Sequence, residues 1–332
     1  MLGRYLDLSP AELDARADAA YDIYRKCCVC PHACGVDRTE GDKGFCKQTD
    51  RLTVSSSVQH FGEEIPLTGT RGVGNIFLTS CNMRCDYCQN YQISQLLDGV
   101  ERGYEDVADE MLKLQKLGVH YIGWVSPSHV VPGLLKSLAI ARKKGLTLPV
   151  IYNTNAYDTL PTLKLLEGII DIYLPDMKYA DNATGQKYSH VKNYVEISRN
   201  AVLEMFRQLG PVTFDKNGMA QSGVMIRHLV LPGGLAGTWE TLCFIALEMS
   251  PKIPLSLMSQ YHPVSKAVDD PVISRTITVE EYNEAIRMSE ELGFENLFIQ
   301  RLDSPIHNLP DFRRPRNPFP LKKAYNEEVS TQ

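Results

Sequence analysis

The sequence predicts an α/β protein with a partial (β/α)6 TIM-like barrel, an N-terminal cysteine-rich segment and a C-terminal extension. In the central part of the 332-residue chain, short apolar segments alternate with longer segments of helical periodicity. This alternation indicates right-handed βαβ units around a parallel sheet. Six or seven units over ~220 residues fit a barrel or a partial barrel, in which chemistry occurs at the carboxyl ends of the strands. Most of the cysteines precede this region.

The first predicted helix begins where Ser9 can cap it, Pro10 suits its first turn and Glu12 completes a capping box. It should run to about Lys26. Strands are expected over 75–79, 120–125, 149–154, 170–175, 224–231 and 254–259, with a further candidate over 295–300. Helices are expected over 105–118, 131–144, 159–167, 193–209 and 236–249, and from a second capping box at Thr278 to Gly293.

We expect three regions along the chain. Residues 1–60 contain the first helix and the cysteine-rich segment, residues 61–300 form the barrel core, and residues 301–332 are a C-terminal extension. The extension contains several prolines and the basic run RRPR (313–316). This composition is typical of a chain that wraps the surface of a domain, and a basic contact to an acidic partner is the alternative.

Composition excludes several classes of protein. Hydrophobic residues make up 43% and charged residues 23% of the chain, which excludes wholesale disorder and fibrous repeats. A net charge of −5 weighs against nucleic-acid binding. No apolar run approaches the ~20 residues of a membrane span, and the first residues lack the pattern of a signal peptide. We therefore expect a cytoplasmic protein whose cysteines act as thiolates rather than disulfides.

Three cysteines follow the first predicted barrel strand with the spacing C-x3-C-x2-C. They are Cys81, Cys85 and Cys88. Three thiolates on one loop could hold three corners of a [4Fe–4S] cluster, which normally takes four cysteine ligands. The fourth iron would then be open to the amine and carboxylate of an amino-acid moiety. A zinc knuckle or a set of unligated thiols is the alternative.

With an aromatic residue before its last cysteine, this motif resembles the signature of the radical S-adenosylmethionine (SAM) superfamily. Residues 60–94, together with YLPDMKY and RHLVLPGG, resemble the pyruvate formate-lyase-activating-enzyme-like branch, and the likeness covers about residues 27–300. The resemblance implies that the three cysteines hold the cluster and that SAM binds its open iron. One-electron reduction would then cleave SAM to methionine and a 5′-deoxyadenosyl radical, which abstracts hydrogen from a substrate.

The resemblance also implies a low-potential electron donor, a flavodoxin or a ferredoxin. It leaves the substrate open between a glycyl radical enzyme, another protein or peptide, and a small molecule. Two further interpretations compete with this one. The chain could be a non-catalytic iron–sulfur or zinc protein that senses redox state or binds a partner, or a basic tail could recruit RNA to a modifying enzyme.

Four polar residues at or near strand ends are candidates to bind SAM. Arg227 lies in a barrel strand and could hold the SAM carboxylate, with a buried ion pair to Asp176 or another acid as the alternative. Asp176 and Lys178 resemble the Asp-x-Lys pattern that faces SAM and substrate in activating enzymes. Asn153, at the end of the third strand, suits a ribose or methionine contact, and a turn-forming role is the alternative.

One departure concerns the end of the second strand. Activating enzymes usually have Gly-Gly-Glu there, and this chain has GWVSPSH (123–129), which contains no acid. Ser126, Ser128 or backbone carbonyls could replace it. His129 could contact SAM, donate a proton or cap the next helix.

A second group of cysteines has the spacing C-x2-C-P-x2-C-x11-C. Its members are Cys27, Cys30, Cys34 and Cys46, with Cys28 as a spare thiol. Four thiolates suit either an auxiliary iron–sulfur cluster or a structural zinc ion. The ligand types alone do not distinguish these metals, and a site without metal is the third possibility.

Overall fold

The computed structural model describes residues 1–302, 309–314 and 317–319, and this part of the chain contains eleven strands and ten α-helices. The strands are β1 (Leu52–His60), β2 (Val73–Leu78), β3 (Val100–Arg102), β4 (Ile122–Val125), β5 (Val150–Thr154), β6 (Ile172–Pro175), β7 (Thr213–Phe214), β8 (Ala220–Val224), β9 (Ile226–Leu229), β10 (Leu255–Met258) and β11 (Leu297–Ile299). The helices are α1 (Pro10–Asp22), α2 (Ile65–Thr68), α3 (Tyr91–Ser94), α4 (Tyr104–Leu117), α5 (Val131–Lys143), α6 (Leu160–Leu165), α7 (Asn182–Ser189), α8 (Tyr194–Leu209), α9 (Thr238–Glu248) and α10 (Val279–Glu291).

The strands form two sheets that together make an open, partial barrel. The larger sheet has the order β3-β1-β2-β4-β5-β6-β8-β7, and its strands from β2 to β8 are parallel. The smaller sheet has the order β11-β10-β9 and is entirely parallel. A bridge between Asp176 and Arg227 joins the end of β6 to β9. Within the described ranges no strand pairing closes β11 onto the opposite edge.

The predicted fold class is therefore confirmed. Each of the seven predicted strand segments matches a different parallel strand, namely β2, β4, β5, β6, β9, β10 and β11, although β2 begins two residues earlier than expected. The predicted helices between them are present with ends that differ by at most about two residues. Both capping boxes, at Ser9 and Thr278, are formed. The first helix is shorter than expected, because it ends at Asp22 and a 3-10 turn continues to Lys26.

Several elements were not predicted from the sequence. Strand β1 pairs antiparallel with β2 and extends the sheet beyond the first parallel strand. Its central serines gave it little apolar periodicity, although alternate residues such as Val54 and Val58 are buried. The strands β3, β7 and β8 and the helices α2, α3 and α7 were also not predicted.

Alternate residues of the parallel strands point into the barrel and form layers. An apolar base layer is closed from below by Leu67 of α2, and it contains Val73, Tyr121, Ile151, Ile172 and Met225. Two residues further along their strands, on the same face, lie polar residues that include Asn75 and Asn153. Gly123 is needed in this layer, because a Cβ atom there would lie 2.1 Å from Asn75 Oδ1.

The described part of the C-terminal extension packs against the barrel near β2. The rings of Phe312 and Phe319 contact the ring of Phe77, at centroid distances of 5.3 and 5.5 Å. The backbone N–H of Phe312 donates to Gln92 Oε1 at 2.7 Å. Arg316, the last residue of the basic run, lies outside the described residues. In the described ranges, no helix has the length and apolar character that crossing a membrane requires.

Candidate metal centre and cofactor site

Three neighbouring strands are each followed, within two residues, by a residue with left-handed backbone conformation. Ser80 after β2, Ser126 after β4 and Ala156 after β5 have φ values of 66°, 54° and 60°. Such values are uncommon for residues other than glycine, and they cluster at functional sites. The carboxyl edge of the sheet therefore carries three sharply turned loops side by side. The first of them, residues 80–88, is here called the cluster loop.

Of the three cysteines of the cluster loop, Cys85 is buried and Cys81 and Cys88 are partly buried. Burial raises the pKa of Cys81 to about 12 and that of Cys85 to about 11. It also raises the pKa of Cys88. Such thiols would be poor nucleophiles, but coordination to a metal deprotonates a thiol outright. The three side chains therefore fit metal ligation, and the site favours a cationic group that stabilises thiolate.

Each of these sulfurs accepts a hydrogen bond from a side chain that lies outside the cluster loop. Asn155 Nδ2 donates to Cys81 Sγ at 3.3 Å from the turn that follows β5. The hydroxyl of Ser94, at the end of α3, donates to Cys88 Sγ at 3.2 Å. Donors around ligand sulfurs stabilise negative charge on them and tune a bound cluster.

The third sulfur has the most extended set of donors. Ser189 Oγ lies 2.9 Å from Cys85 Sγ. The hydroxyl of Tyr179 lies 2.7 Å from Ser189 Oγ, and the hydroxyl of Tyr87 lies 2.5 Å from that of Tyr179. All these side chains are buried. Neither Asn155 nor Ser189 was recognised from the sequence as a partner of the cysteines, although Asn155 belongs to the polar strand end that also contains Asn153.

An acid–base pair lies beside the cysteines. Lys178 Nζ lies 2.7 Å from Asp176 Oδ2, and both side chains are largely buried just beyond β6. Burial acts to lower the pKa of Lys178, but Asp176, together with Cys85 and Tyr194, outweighs burial and the pKa is raised. The positive charge of Lys178 acts in turn on the thiols of the cluster loop and partly opposes the rise in their pKa that burial causes. The predicted pair is thus adjacent to the predicted metal ligands.

Arg227 lies in the polar layer of the barrel and is held by two acids. Its Nε donates to Glu64 Oε1 at 2.8 Å, and its Nη2 contacts both Glu64 and Glu63. Asn75 Nδ2 donates to the other oxygen of Glu63 at 2.6 Å. Burial acts to raise the pKa of Glu63, but Arg227, together with His60 and Asn75, outweighs burial and the pKa falls to about 2. In the described chain, Nη1 of Arg227 has no hydrogen-bond partner.

Asn153 lies in the same layer as Arg227. Its neighbours across the sheet are Val125 and Leu174, and its side chain is half-buried. Within the described ranges, its side-chain amide makes no hydrogen bond. A polar side chain that points into the barrel without a partner is available to a bound molecule.

His129 fills a structural position next to the cluster loop. Its Nε2–H donates to the carbonyl of Thr79 at 2.9 Å, at the end of β2. Burial and, to a smaller extent, the nearby Arg38 lower its pKa to about 4, so the imidazole is neutral near pH 7. Its Nδ1 is buried without a partner in the described part of the chain. Through its hydrogen bond to Thr79, the side chain stabilises the end of the strand that leads into the cluster loop.

The second group of cysteines lies in residues 27–46, here called the N-terminal cysteine segment. The thiols of Cys30 and Cys46 have a raised pKa because they are buried and because other thiols of the segment lie near them. Across the described ranges, no three His, Cys, Asp or Glu side chains are arranged to hold a single metal ion. The ligands of a cubane cluster bind different irons, so they stand further apart than the ligands of one ion.

The N-terminal cysteine segment packs directly on the cluster loop. Ser80 Oγ donates to the carbonyl of Cys46. His32 Nε2–H donates to the carbonyl of Asn82 at 2.8 Å. A third bond runs from Arg84 Nη2 to the carbonyl of Phe45, at 2.8 Å. The two groups of cysteines are thus parts of one structural unit.

The fold and the site together define a class: a barrel protein whose cysteine loop lies at the carboxyl end of its first parallel strand. Residues 75–234 match the radical SAM superfamily. The chain is also 31% identical to the uncharacterized protein MJ0674 of Methanocaldococcus jannaschii over 302 residues, which are 88% of this chain and 82% of the relative. The chain belongs to the radical SAM superfamily. Membership implies a [4Fe–4S] cluster and SAM as cofactors.

Solved structures with a similar fold are distant in sequence. The structure of TYW1 with a lysine-pyruvate adduct is 13% identical, with a TM-score of 0.47, and the match covers 73% of this chain and 81% of that one. A domain of pyruvate-formate lyase-activating enzyme from Bacteroides vulgatus is 15% identical, with a TM-score of 0.34, and the match covers 60% of this chain and 91% of that one.

Proposed function

We propose that this chain is a radical SAM enzyme in which Cys81, Cys85 and Cys88 hold a [4Fe–4S] cluster whose fourth iron binds SAM. The observation that carries this proposal is the surroundings of the three sulfurs. Each cysteine is at least partly buried and its sulfur accepts a hydrogen bond from a different part of the chain, and a largely buried acid–base pair lies beside the three cysteines. Three ligands and a neighbouring charged pair suit a cluster with one open position.

The protein side chains would position the cofactor. In this superfamily the reduced cluster supplies one electron that cleaves SAM to methionine and a 5′-deoxyadenosyl radical. Lys178 and Asp176 present a cation and an anion side by side, which complement the carboxylate and the amine of the SAM methionine moiety. Asn153 and Nη1 of Arg227 would supply further polar contacts from inside the barrel. The apolar base layer would keep water from the reacting atoms.

For the substrate we favour a protein, in the manner of the pyruvate formate-lyase-activating-enzyme-like branch that the sequence resembles. A glycyl radical enzyme is the first candidate, and a small molecule is the alternative. The reductant would be a flavodoxin or a ferredoxin, because the cluster must be reduced at low potential. We expect the protein in the cytoplasm, where thiols stay reduced and available to metal.

We further propose that Cys27, Cys30, Cys34 and Cys46 hold a second metal centre. The close packing of this segment on the cluster loop supports the proposal, because it brings the two sets of cysteines together. An iron–sulfur cluster there could relay electrons, whereas a zinc ion would only brace the segment. Metal analysis distinguishes the two.

The test is an anaerobic assay. The protein is reconstituted with iron and sulfide, reduced with dithionite in the presence of SAM, and assayed for 5′-deoxyadenosine. We expect 5′-deoxyadenosine, and about four irons for one cluster or about eight for two. In Lys178→Met, the SAM concentration needed should rise roughly tenfold or more, since a charged hydrogen bond is lost. The exposed Lys187→Met is the matched control.

Two outcomes would contradict the proposal. The first is a protein that binds no cluster at Cys81, Cys85 and Cys88. The second is an intact cluster that yields no 5′-deoxyadenosine and whose EPR spectrum does not change when SAM is added. The second outcome would favour the non-catalytic redox-sensing or partner-binding protein.

A further inference from the structure

A buried chain of hydroxyl groups ends on one of the cysteine sulfurs. It runs from Tyr87 through Tyr179 and Ser189 to Cys85, with successive donor–acceptor distances of 2.5, 2.7 and 2.9 Å. The four residues come from three segments of the chain: the cluster loop, the stretch after β6 and the end of α7. This arrangement does not follow from local sequence, since Ser189 is 104 positions from Cys85.

The direction of the chain follows from the chemistry of its last member. A thiolate that ligates iron accepts hydrogen bonds and has no proton to donate. Ser189 must therefore donate to Cys85, so its oxygen is free to accept from Tyr179. Tyr179 in turn accepts from Tyr87. All the dipoles then point their positive ends toward the sulfur, and successive hydrogen bonds of this kind strengthen one another.

The burial of the chain makes its effect on the sulfur large. Tyr87 is 4% exposed, Tyr179 is 1% exposed and Ser189 is 0% exposed. Water therefore does not screen the dipoles or replace a lost donor. Reduction adds one negative charge to the cluster, and part of that charge resides on the ligand sulfurs. A donor aimed at a sulfur stabilises the reduced state more than the oxidised one.

We propose that Ser189, Tyr179 and Tyr87 form a polarised hydroxyl chain that raises the reduction potential of the cluster held by Cys81, Cys85 and Cys88. This inference rests on the proposed function, because it concerns the cluster that this function requires. The three residues are positioning residues and do not touch SAM or substrate in the proposal. Their role is to make the first electron easier to accept.

The contribution of each hydroxyl should decrease with its distance from the sulfur. Ser189→Ala removes the direct donor and should lower the ratio of reduced to oxidised cluster about three- to tenfold at a fixed potential, because a hydrogen bond to a charged group is lost. A tenfold change corresponds to 59 mV for one electron. Tyr179→Phe keeps the serine but removes the hydroxyl that polarises it, so its shift should be smaller. Tyr87→Phe should have the smallest effect.

The experiment is a potentiometric titration of the reconstituted protein, followed by EPR of the reduced cluster. Ser137→Ala is the matched control, because Ser137 is also fully buried and donates a hydrogen bond, to the carbonyl of Gly133 in α5. We expect a lower midpoint potential in the order Ser189→Ala, Tyr179→Phe, Tyr87→Phe, and the wild-type value in the control. Ser189→Thr, which keeps the hydroxyl, should restore most of the potential.

Equal midpoint potentials in wild type, Ser189→Ala and Tyr179→Phe would overturn the inference. If Ser189→Ala fails to assemble a cluster, the Tyr179→Phe titration decides alone, since this variant keeps every direct contact with the sulfurs. Failure of the proposed function looks different. In that case the wild-type protein itself has no cluster, or has a cluster that neither changes its EPR spectrum with SAM nor yields 5′-deoxyadenosine.

Discussion

The cluster loop and the N-terminal cysteine segment differ in which groups donate hydrogen bonds to their cysteine sulfurs. In the cluster loop, the donors to the sulfurs include side chains of Ser94, Asn155 and Ser189, which come from three other elements. In the N-terminal segment, most of the donors to sulfur are backbone N–H groups, such as Phe45 N–H, 3.4 Å from Cys34 Sγ, and one side chain, Arg38, also contributes, with its Nη1 4.0 Å from Cys27 Sγ. His32 N–H and Gln48 N–H similarly act on the thiols of Cys30 and Cys46.

This difference bears on what each site can do. Backbone donors are supplied by the turn itself, so they accompany almost any sequence that forms it. Side-chain donors require particular residue types at distant positions, and they can be adjusted one at a time. The cluster loop therefore has the character of a site with a tuned potential. In the proposed function, the N-terminal segment serves as a brace or a relay.

The charges around the two groups also differ. Lys178 and Asp176 lie beside the cluster loop as a pair, which leaves a cation and an anion for a zwitterionic ligand. The N-terminal segment has the buried Arg38, whose Nη1 lies 4.0 Å from Cys27 Sγ. Its guanidinium stacks over the ring of Tyr24 at 4.0 Å. A lone buried cation stabilises thiolates but offers no site for an amino acid.

The largest expected effect comes from removing one ligand from each group. Cys85→Ala should abolish both the cluster at the loop and all SAM cleavage, because two thiolates cannot hold the cluster. Cys30→Ala should lose the N-terminal metal and keep the loop cluster. Iron content and 5′-deoxyadenosine yield are the measurements, and Cys243→Ala, in α9, is the control. If Cys85→Ala still cleaved SAM, the assignment of the two sites would be wrong.

A second prediction tests whether the ion pairs of Arg227 with Glu63 and Glu64, in the polar layer of the barrel, stabilise the fold. Arg227→Gln leaves Glu63 and Glu64 buried without their cation, so the free energy of unfolding should fall by about 3–5 kcal/mol. Urea unfolding measures it. Arg287→Gln removes an exposed arginine that also pairs with two acids, and it should cost about 0.5 kcal/mol or less. If both variants lost a similar amount of unfolding free energy, the ion pairs of Arg227 would contribute no more than exposed ones, which would contradict this prediction.

The barrel could be predicted from the sequence because its strands are short apolar runs between clear helices. The cysteine ligands were equally visible, since their spacing is local. The partners of Arg227 were not, because Glu64 lies 163 positions away and nothing local relates the two. Ser189 was missed for a related reason. It ends α7, an eight-residue helix with weak periodicity, and only the folded chain brings it to Cys85.

A third prediction concerns how the stability of the protein depends on pH through the buried His129, next to the cluster loop. His129 has a folded pKa of about 4 against 6.5 in the unfolded chain, so the unfolded state binds more protons between these values. Its contribution to stability is therefore lost as the pH falls from about 6.5 to 4, at up to about 1.4 kcal/mol per pH unit. His228 acts in the same direction, and Asp171, with a pKa raised to about 7 by burial, opposes them.

Comparing wild type with His129→Gln isolates the contribution of one histidine. The amide of glutamine can donate to Thr79 but does not titrate, so the variant should lose less stability between pH 6 and pH 5. The expected difference is about 1 kcal/mol, measured by urea unfolding at both pH values. Parallel curves for the two proteins would show that His129 is not buried in its neutral form.

The smallest expected effect comes from the contact that joins the two regions. His32→Ala removes one neutral hydrogen bond to the carbonyl of Asn82 and a stacked contact with Phe45, at a cost of about 1 kcal/mol of unfolding free energy. The iron content of the cluster loop should not change. Loss of the loop cluster in this variant would mean that the N-terminal segment organises the loop and does more than pack on it.

The most direct test of the central claim is the EPR spectrum of the dithionite-reduced Cys30→Ala protein, recorded with and without SAM. The variant isolates the cluster loop from the N-terminal site. We predict one [4Fe–4S]⁺ signal whose shape changes when SAM is added, because SAM would bind the iron that Cys81, Cys85 and Cys88 leave open. A cluster signal that stays the same at saturating SAM would contradict it.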